Sequence, residues 1–232
     1  MIGDKPMVCH VYDRASEALP GKVWVATDDR RIYDTVSAAG GQTVMTSSDC
    51  ANGTARCAEA VDRLGLSPDI IVNIQGDEPF LNPADINFAI SQFHDQSLEI
   101  ATLARRFNPE EGFEALFCPD TPKVTFTSSG RALYFSRSII PYVRNEKWQK
   151  WIDATDFYIH IGLYAFRSES LAKAITLKEG RLEQAERLEQ LRWLEAGMNI
   201  GVAVTQSFSQ SVDTPDDLEK ARRLFTEMQS AR

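Results

Sequence analysis

IVNIQGDEPF, residues 71 to 80, decides how the rest of the chain is read. The apolar run from Ile70 to Ile74 ends abruptly in Gln75-Gly76-Asp77-Glu78-Pro79. A short apolar run closed by a polar turn reads as a fully apolar strand, the kind found in the parallel sheet of an α/β protein. An amide and two carboxylates then emerge at the strand's carboxyl end, where open α/β sheets bind ligands. Gly76 lets a ligand approach the backbone closely, and Asp77 can face a metal. The plain alternative is a polar turn whose acids help cap the next helix, which Asn82-Pro83 opens.

Upstream of this strand, helix and strand alternate. Residues 5 to 18 place Met7, Val8, Val11, Tyr12 and Ala15 at helical spacing, and VWVAT (23 to 27) reads as a strand. RRIYDTVSAAGG is a helix closed by Gly40 and Gly41, QTVMT a strand, and TARCAEAVDRLGL a further helix. Such alternation predicts a mostly parallel sheet with helices on both faces. Downstream, KVTFT, the turn SSG (128 to 130) and RALYFS predict an antiparallel hairpin, with YIHIGLYAF as another strand. Residues 123–166 are therefore expected to form a smaller antiparallel subsidiary sheet within a single domain spanning 1–232. EQAERLEQLRWLEAG predicts one amphipathic helix, IGVAVT a strand, and Pro215 onward a last helix with Thr214 and Asp217 in capping-box form.

RASEALPGK, Arg14 to Lys22, has the parts of a phosphate loop: a cation, a serine and a Pro-Gly-Lys turn. Its position is wrong for one. A phosphate loop follows a buried strand and precedes a helix, whose first N–H groups supply the positive end. Here a helix comes first and a strand second, so the segment reads as a helix-to-strand connection.

With 25 basic and 33 acidic residues among 232, the chain carries a formal charge of −8, which excludes attraction of nucleic acid to the molecule as a whole. An anionic substrate would need a local basic pocket or a metal ion. The apolar runs are too short to span a bilayer and the N-terminus has no signal pattern, so a cytoplasmic protein without membrane partners is expected. Cys9, Cys50, Cys57 and Cys118 form no CxxC, and His10, His94 and His160 are not at zinc spacing. Any metal would be oxygen-bound, and carboxylates beside a phosphate favour magnesium.

Other polar residues are candidates of lower specificity. SVDTPDDLE places Asp213 just outside the last helix, where capping does not need it and metal binding could use it; an ordinary Asp-Thr-Pro turn competes with that reading. NGTAR, Asn52 to Arg56, opens a helix with an arginine in its first turn, at the positive end of the dipole, which asks for a nearby anion or polar ligand. Arg137 in YFSRSIIP and His160 in YIHIGLY read equally as polar residues on half-exposed strands.

In their order and separation, IVNIQGDEP, ALYFSRSIIPY, HIGLYAF, LEQAERLEQLRWLEAG and VDTPDDLEKAR resemble the 3-deoxy-manno-octulosonate (Kdo) cytidylyltransferases, from Gly3-Asp4-Lys5-Pro6-Met7 almost to the C-terminus. The resemblance implies a Rossmann-like, GT-A-like nucleotidyltransferase fold and the reaction CTP + Kdo → CMP-Kdo + diphosphate, a step of lipopolysaccharide biosynthesis. It implies Asp77 and Asp213 as catalytic magnesium ligands. Asn52, Gly53, Thr54, Arg56 and Gln75 would contact the nucleotide, and Arg137, His160, Tyr164, Glu189 and Gln190 the sugar acid. It also implies a homodimer, for which ALYFSRSIIPYV and FYIHIGLYAF could supply apolar contact. Selectivity stays open between Kdo and another acidic sugar, amino-Kdo or a sialic acid, as does a non-catalytic nucleotide-binding subunit.

Two departures stand out. The family usually has Ser-Gly-Thr-Glu-Arg where this chain has Asn52-Gly53-Thr54-Ala55-Arg56. Its members also begin with a strand and a loop of the RxxSxRLPGK kind ahead of the segment found here at Asp4 to Met7. The neighbours of that strand would keep unpaired edges without it, so the chain as written is expected to be poorly stable and nearly inactive.

Overall fold

The computed structural model describes residues 1–207 and 211–230. The chain divides into two compact units, one made of 1–87 with 208–232 and the other of 88–207.

In the first unit the alternation read from the sequence is present almost element for element: α1 (Met7–Ala18), β1 (Val25–Thr27), α2 (Arg30–Ala38), β2 (Thr43–Met45), α3 (Gly53–Arg63), β3 (Ile70–Asn73) and α4 (Pro83–Ser91), the last running across the boundary. β1 and β2 pair in parallel, Val25 opposite Thr43 and Thr27 opposite Met45, as a two-stranded sheet of their own. RASEALPGK ends α1 and leads to β1, with Gly21 at φ 72° in its turn, so the reading as a connection holds. Gly3 shows a local constraint: it sits at φ 59°, and an added Cβ would lie 2.6 Å from the Phe225 ring. Phe225 also meets the His10 ring edge-on at 5.1 Å, so the start of the chain packs with the closing helix, numbered below.

The second unit carries the larger sheet. Its strands are β4 (Ile100–Arg106), β5 (Lys123–Phe126), β6 (Ala132–Ser136), β7 (Tyr158–Arg167) and β8 (Ile200–Thr205), in the order β6-β5-β7-β4-β8. β4 pairs antiparallel with β7 and parallel with β8, and the predicted hairpin is present with Lys123 opposite Ser136. The fold is α/β, as expected, but the weight of sheet lies elsewhere than predicted. The antiparallel strands build the large mixed sheet, and the parallel pair β1–β2 is the small one. β4 escaped the sequence reading, though LEIATLA is an apolar run of strand length; it runs down the centre of the sheet, with Ile100, Ala101, Leu103 and Ala104 fully buried. A short helix α5 (Phe113–Phe117), α6 (Trp151–Ala154) and α7 (Ser168–Ala174) accompany the sheet. Phe107, Leu116, Trp151, Phe157 and Ile159 form one aromatic-rich core cluster of this unit.

One prediction fails here. EQAERLEQLRWLEAG is not a single helix: it breaks into α8 (Arg181–Glu186) and α9 (Gln190–Glu195). Arg187 takes the left-handed conformation, φ 52° and ψ 45°, and its N–H closes α8 on the Glu183 carbonyl at 2.6 Å. Spacing alone does not show the break: buried Glu183 before it and buried Gln190 and Leu191 after it, seven and eight residues on, would share one face of a continuous helix. α10 (Pro215–Ser230) closes the chain in the first unit.

Candidate active site

The strand that opened the sequence reading delivers its carboxylate as expected. β3 ends at Asn73, and Asp77 follows in the turn beyond it. Its backbone carbonyl accepts from the Val212 N–H at 3.0 Å, which ties the turn to the segment just before α10. That tie brings together two acids 136 residues apart in sequence (213 − 77). Asp77 is half-buried and its Oδ1 is fully enclosed without a hydrogen-bond partner. Burial, with a further push from the Asp213 carboxylate, raises the Asp77 pKa above the usual carboxylate range. Asp213 is exposed and accepts from Ser211 Oγ at 2.9 Å. The capping box predicted beside it forms: Thr214 Oγ1 donates to Asp217 Oδ2 at 2.6 Å and accepts from the Asp217 N–H at 3.2 Å, so Asp213 is not needed for the cap.

An enclosed carboxylate oxygen with no donor, next to a second carboxylate, is a costly arrangement unless a cation completes it. Among the described residues no group of three or more His, Cys, Asp or Glu side chains converges, so the chain offers this pair and leaves other positions to water or substrate. Magnesium accepts such a site, taking one or two carboxylates and keeping the rest for water and phosphate oxygens. The donor set fits it.

In the same unit, Asn52, Gly53 and Gln75 come together. Asn52 caps α3, its Oδ1 accepting from the Ala55 N–H at 2.8 Å. A Cβ on Gly53 would lie 3.5 Å from the Asn73 amide and 3.8 Å from Gln75 Nε2. Gly76 is open on its Cβ side, with no protein atom within 4 Å, so no packing demand of the chain itself requires a glycine there. Thr54 is buried. The arginine that asked for an anion has one: Arg56 Nη1 pairs with Asp28 Oδ1 at 3.2 Å and donates to Thr46 Oγ1 at 2.6 Å. Its position at a helix start is thus answered within the chain, by a residue the sequence reading had not singled out.

The second unit holds the other set. His160 and Tyr164 lie four residues apart on β7, which in an unbroken strand would separate them by about 13 Å. Their ring centroids are 5.4 Å apart. The register explains this: Thr102 opposes Tyr164 but Leu103 opposes Ile161, so β7 bulges opposite the Thr102–Leu103 step. Burial lowers the His160 pKa to about 3, leaving the imidazole neutral. Burial, and then the nearby Glu189 carboxylate, raises the Tyr164 phenol well above its ordinary value. Glu189 and Gln190 sit where α9 begins, after the break at Arg187, with Gln190 buried.

Arg137 follows β6. Its Nε donates to the Glu186 carbonyl at 2.6 Å, Nη1 to the Pro119 carbonyl at 2.8 Å and Nη2 to the Arg187 carbonyl at 3.2 Å. All three acceptors are neutral, so they orient the guanidinium without discharging it. Glu186 instead grips the strand end, accepting from Ser136 Oγ at 2.7 Å and from the Arg137 backbone N–H at 2.8 Å. Lys123 is fully buried, its Nζ donating to the carbonyls of Cys118 (3.0 Å) and Arg137 (2.6 Å), and burial lowers its pKa. Glu186 and Lys123 were missed in the sequence because Glu186, on α8, meets the end of β6 about 50 residues away, and the carbonyls that Lys123 meets leave no pattern in the order of residues.

Comparison with known proteins adds the family. A profile described as cytidylyltransferase matches residues 1–200. The 3-deoxy-manno-octulosonate cytidylyltransferase of Parabacteroides distasonis is 48% identical over 218 residues, 94% of this chain and 86% of that protein. That of Porphyromonas gingivalis is 47% identical over 221 residues, 95% and 86% respectively. Among solved structures, CMP:2-keto-3-deoxy-manno-octonic acid synthetase complexed with CTP superposes with a TM-score of 0.88 at 39% identity, covering 98% of this chain and 90% of that one. On the matched length and the identity of these relatives, the chain belongs to the 3-deoxy-manno-octulosonate cytidylyltransferase family.

Proposed function

We propose that this chain transfers CMP from CTP to Kdo, releasing diphosphate, and that it does so with Asp77 and Asp213 at the phosphate end of the substrates. The Kdo anomeric hydroxyl attacks the α-phosphorus; a new P–O bond forms, the bond to the diphosphate oxygen breaks, and the hydroxyl proton is lost to solvent or base. The observation that carries the reading is the Asp77 Oδ1 atom, enclosed without a donor beside a second carboxylate. Both acids would hold magnesium, which when bound neutralises phosphate charge and orients the reacting oxygens.

The other residues bind and position. Asn52, Gly53, Thr54, Arg56 and Gln75 are read as the cytidine side, with Asn52 and Arg56 acting partly through the cap and ion pair described above. In the second unit Arg137 is the cation for the sugar carboxylate, its charge undischarged by the carbonyls that aim it. Neutral His160 and Tyr164, with Glu189 and Gln190, suit hydroxyl groups. Both units together are read as one nucleotidyltransferase domain. The protein is proposed to work in the cytoplasm as a homodimer; among the described residues no helix is long and apolar enough to cross a membrane.

The test is diphosphate release from CTP by the purified chain, measured with and without Kdo and magnesium, with amino-Kdo and a sialic acid as competing acceptors. Whatever its rate, release is expected to depend on both Kdo and magnesium. Asp77→Asn and Asp213→Asn should each lower kcat at least about 100-fold, as expected when a metal worth several kcal/mol to the transition state is lost. CTP binding with no release for any acceptor would overturn the reading.

A further inference from the structure

Thr102 lies on the central strand β4 and is completely buried. Its single hydroxyl proton faces three neighbours: the Leu163 carbonyl at 2.7 Å, the Ile161 carbonyl at 3.3 Å and His160 Nε2 at 3.0 Å. Carbonyl oxygens can only accept, so the proton goes to them, and Leu163 is the nearer. The Thr102 oxygen is then an acceptor toward the imidazole, and Nε2 must be the protonated nitrogen. In a neutral imidazole this leaves Nδ1 as a bare lone pair. The Nε2 edge is closed off by a residue with no exposure, so a polar ligand reaching the ring meets the Nδ1 edge.

Ile161 borders, and Leu163 lies within, the bulge in β7 that brings His160 and Tyr164 together. One hydroxyl therefore satisfies carbonyls at the bulge and sets the state of the histidine beside it.

We propose that Thr102 is a positioning residue: it pins the β7 bulge and holds His160 in its Nε2–H form, so that Nδ1 accepts a hydrogen bond from a hydroxyl of the sugar acid. Built on the reading of His160 as a sugar-side residue, the proposal assigns chemistry within that site. A carboxylate, itself an acceptor, is turned away from Nδ1, and the only partner His160 welcomes there is a donor. The sugar acid is thus oriented with a hydroxyl at His160 and its carboxylate at a cation such as Arg137.

The experiment has two parts. Nitrogen-15 NMR of the full chain at neutral pH, with His160 assigned by loss of its signals in His160→Gln, reads the tautomer directly, without substrate. A protonated Nε2 and unprotonated Nδ1 are expected; a protonated Nδ1 overturns the proposal. In steady-state kinetics, Thr102→Val should mix the tautomers and raise the KM for Kdo by up to about tenfold, the effect of one hydrogen bond, with a far smaller change in kcat. Thr102→Ser keeps the hydroxyl and should restore both the spectrum and the KM. If Thr102→Ser shifts the tautomer or weakens Kdo binding as Thr102→Val does, the hydroxyl is not the agent and the proposal fails. An unchanged KM alongside a shifted tautomer in Thr102→Val overturns the sugar contact. Failure of the functional reading would instead show as no Kdo-dependent turnover by the wild-type chain, whatever its tautomer.

Discussion

Asp77 is where stability and function pull against each other. In the metal-free chain, burial and Asp213 both disfavour its ionised form, so its folded pKa lies above the unfolded value. The sign follows: the folded state binds this proton more readily than the unfolded state, and near neutral pH the ionised pair weakens the fold. Asp213→Asn should therefore raise the thermal midpoint of the metal-free protein slightly, since solvent screens the exposed Asp213 charge, while abolishing turnover. A differential scanning calorimetry trace that moves downward instead would contradict the like-charge account. Magnesium should stabilise the wild-type chain and do little for Asp213→Asn, and its affinity should rise with pH as Asp77 gives up its proton.

At the scale of elements, the break between α8 and α9 is braced by one fork. Arg192 Nε and Nη2 each meet a Glu183 carboxylate oxygen at 2.6 Å, and Nη1 donates to the Leu177 carbonyl at 3.2 Å. Both side chains are largely buried, 16% and 9% exposed. Removing one partner strands the other's charge, so Arg192→Ala should lower the unfolding free energy by about 3 kcal/mol in urea titration, and Arg192→Lys should recover only part because an ammonium cannot make the two-pronged contact. Loss of the brace should also raise the KM for Kdo, since Glu189 and Gln190 begin the helix it holds. The break itself was not legible: Glu183, Gln190 and Leu191, all buried, keep helical spacing across it, and a left-handed arginine has no mark in sequence. β4 was overlooked for a different reason. Its apolar run is brief and ends in two arginines, and what makes it central is pairing with β7 and β8, both remote along the chain. The capping box at Thr214 and the hairpin over Ser128 to Gly130 were legible because their partners lie within a few residues.

For the whole molecule, acid should be destabilising through His160. Its folded pKa is about 3 and the unfolded value about 6.5, so between those limits the unfolded chain binds a proton that the folded chain refuses. Stability is therefore expected to fall as pH drops below about 6.5, by at most ~1.4 kcal/mol per unit from this one group. Asp29, whose pKa hydrogen bonds from Arg31 lower to about 2, adds loss only below the ordinary carboxylate range. Between pH 6.5 and 5 the histidine acts against Asp77, whose raised pKa favours the fold as it protonates, so the histidine's share is the difference in slope between the wild type and His160→Gln in chemical denaturation. Of the two segments expected to supply a dimer contact, FYIHIGLYAF is largely core, whereas ALYFSRSIIPYV exposes Leu133 (61%) and Tyr142 (73%). Sedimentation of the wild type as a dimer, and of Leu133→Glu with Tyr142→Glu as a monomer, is the expected outcome. By itself the sequence determined the α/β class, the elements of the first unit, the hairpin and the family, because these rest on periodicity and on turn and cap residues close together in the chain. Only the tertiary structure decided that Asp77 has an orphaned oxygen beside Asp213, that Arg56 already has its anion in Asp28, and that Thr102 meets His160. Those outcomes depend on burial and on hydrogen bonds between distant strands, and neither leaves a local trace in the order of residues.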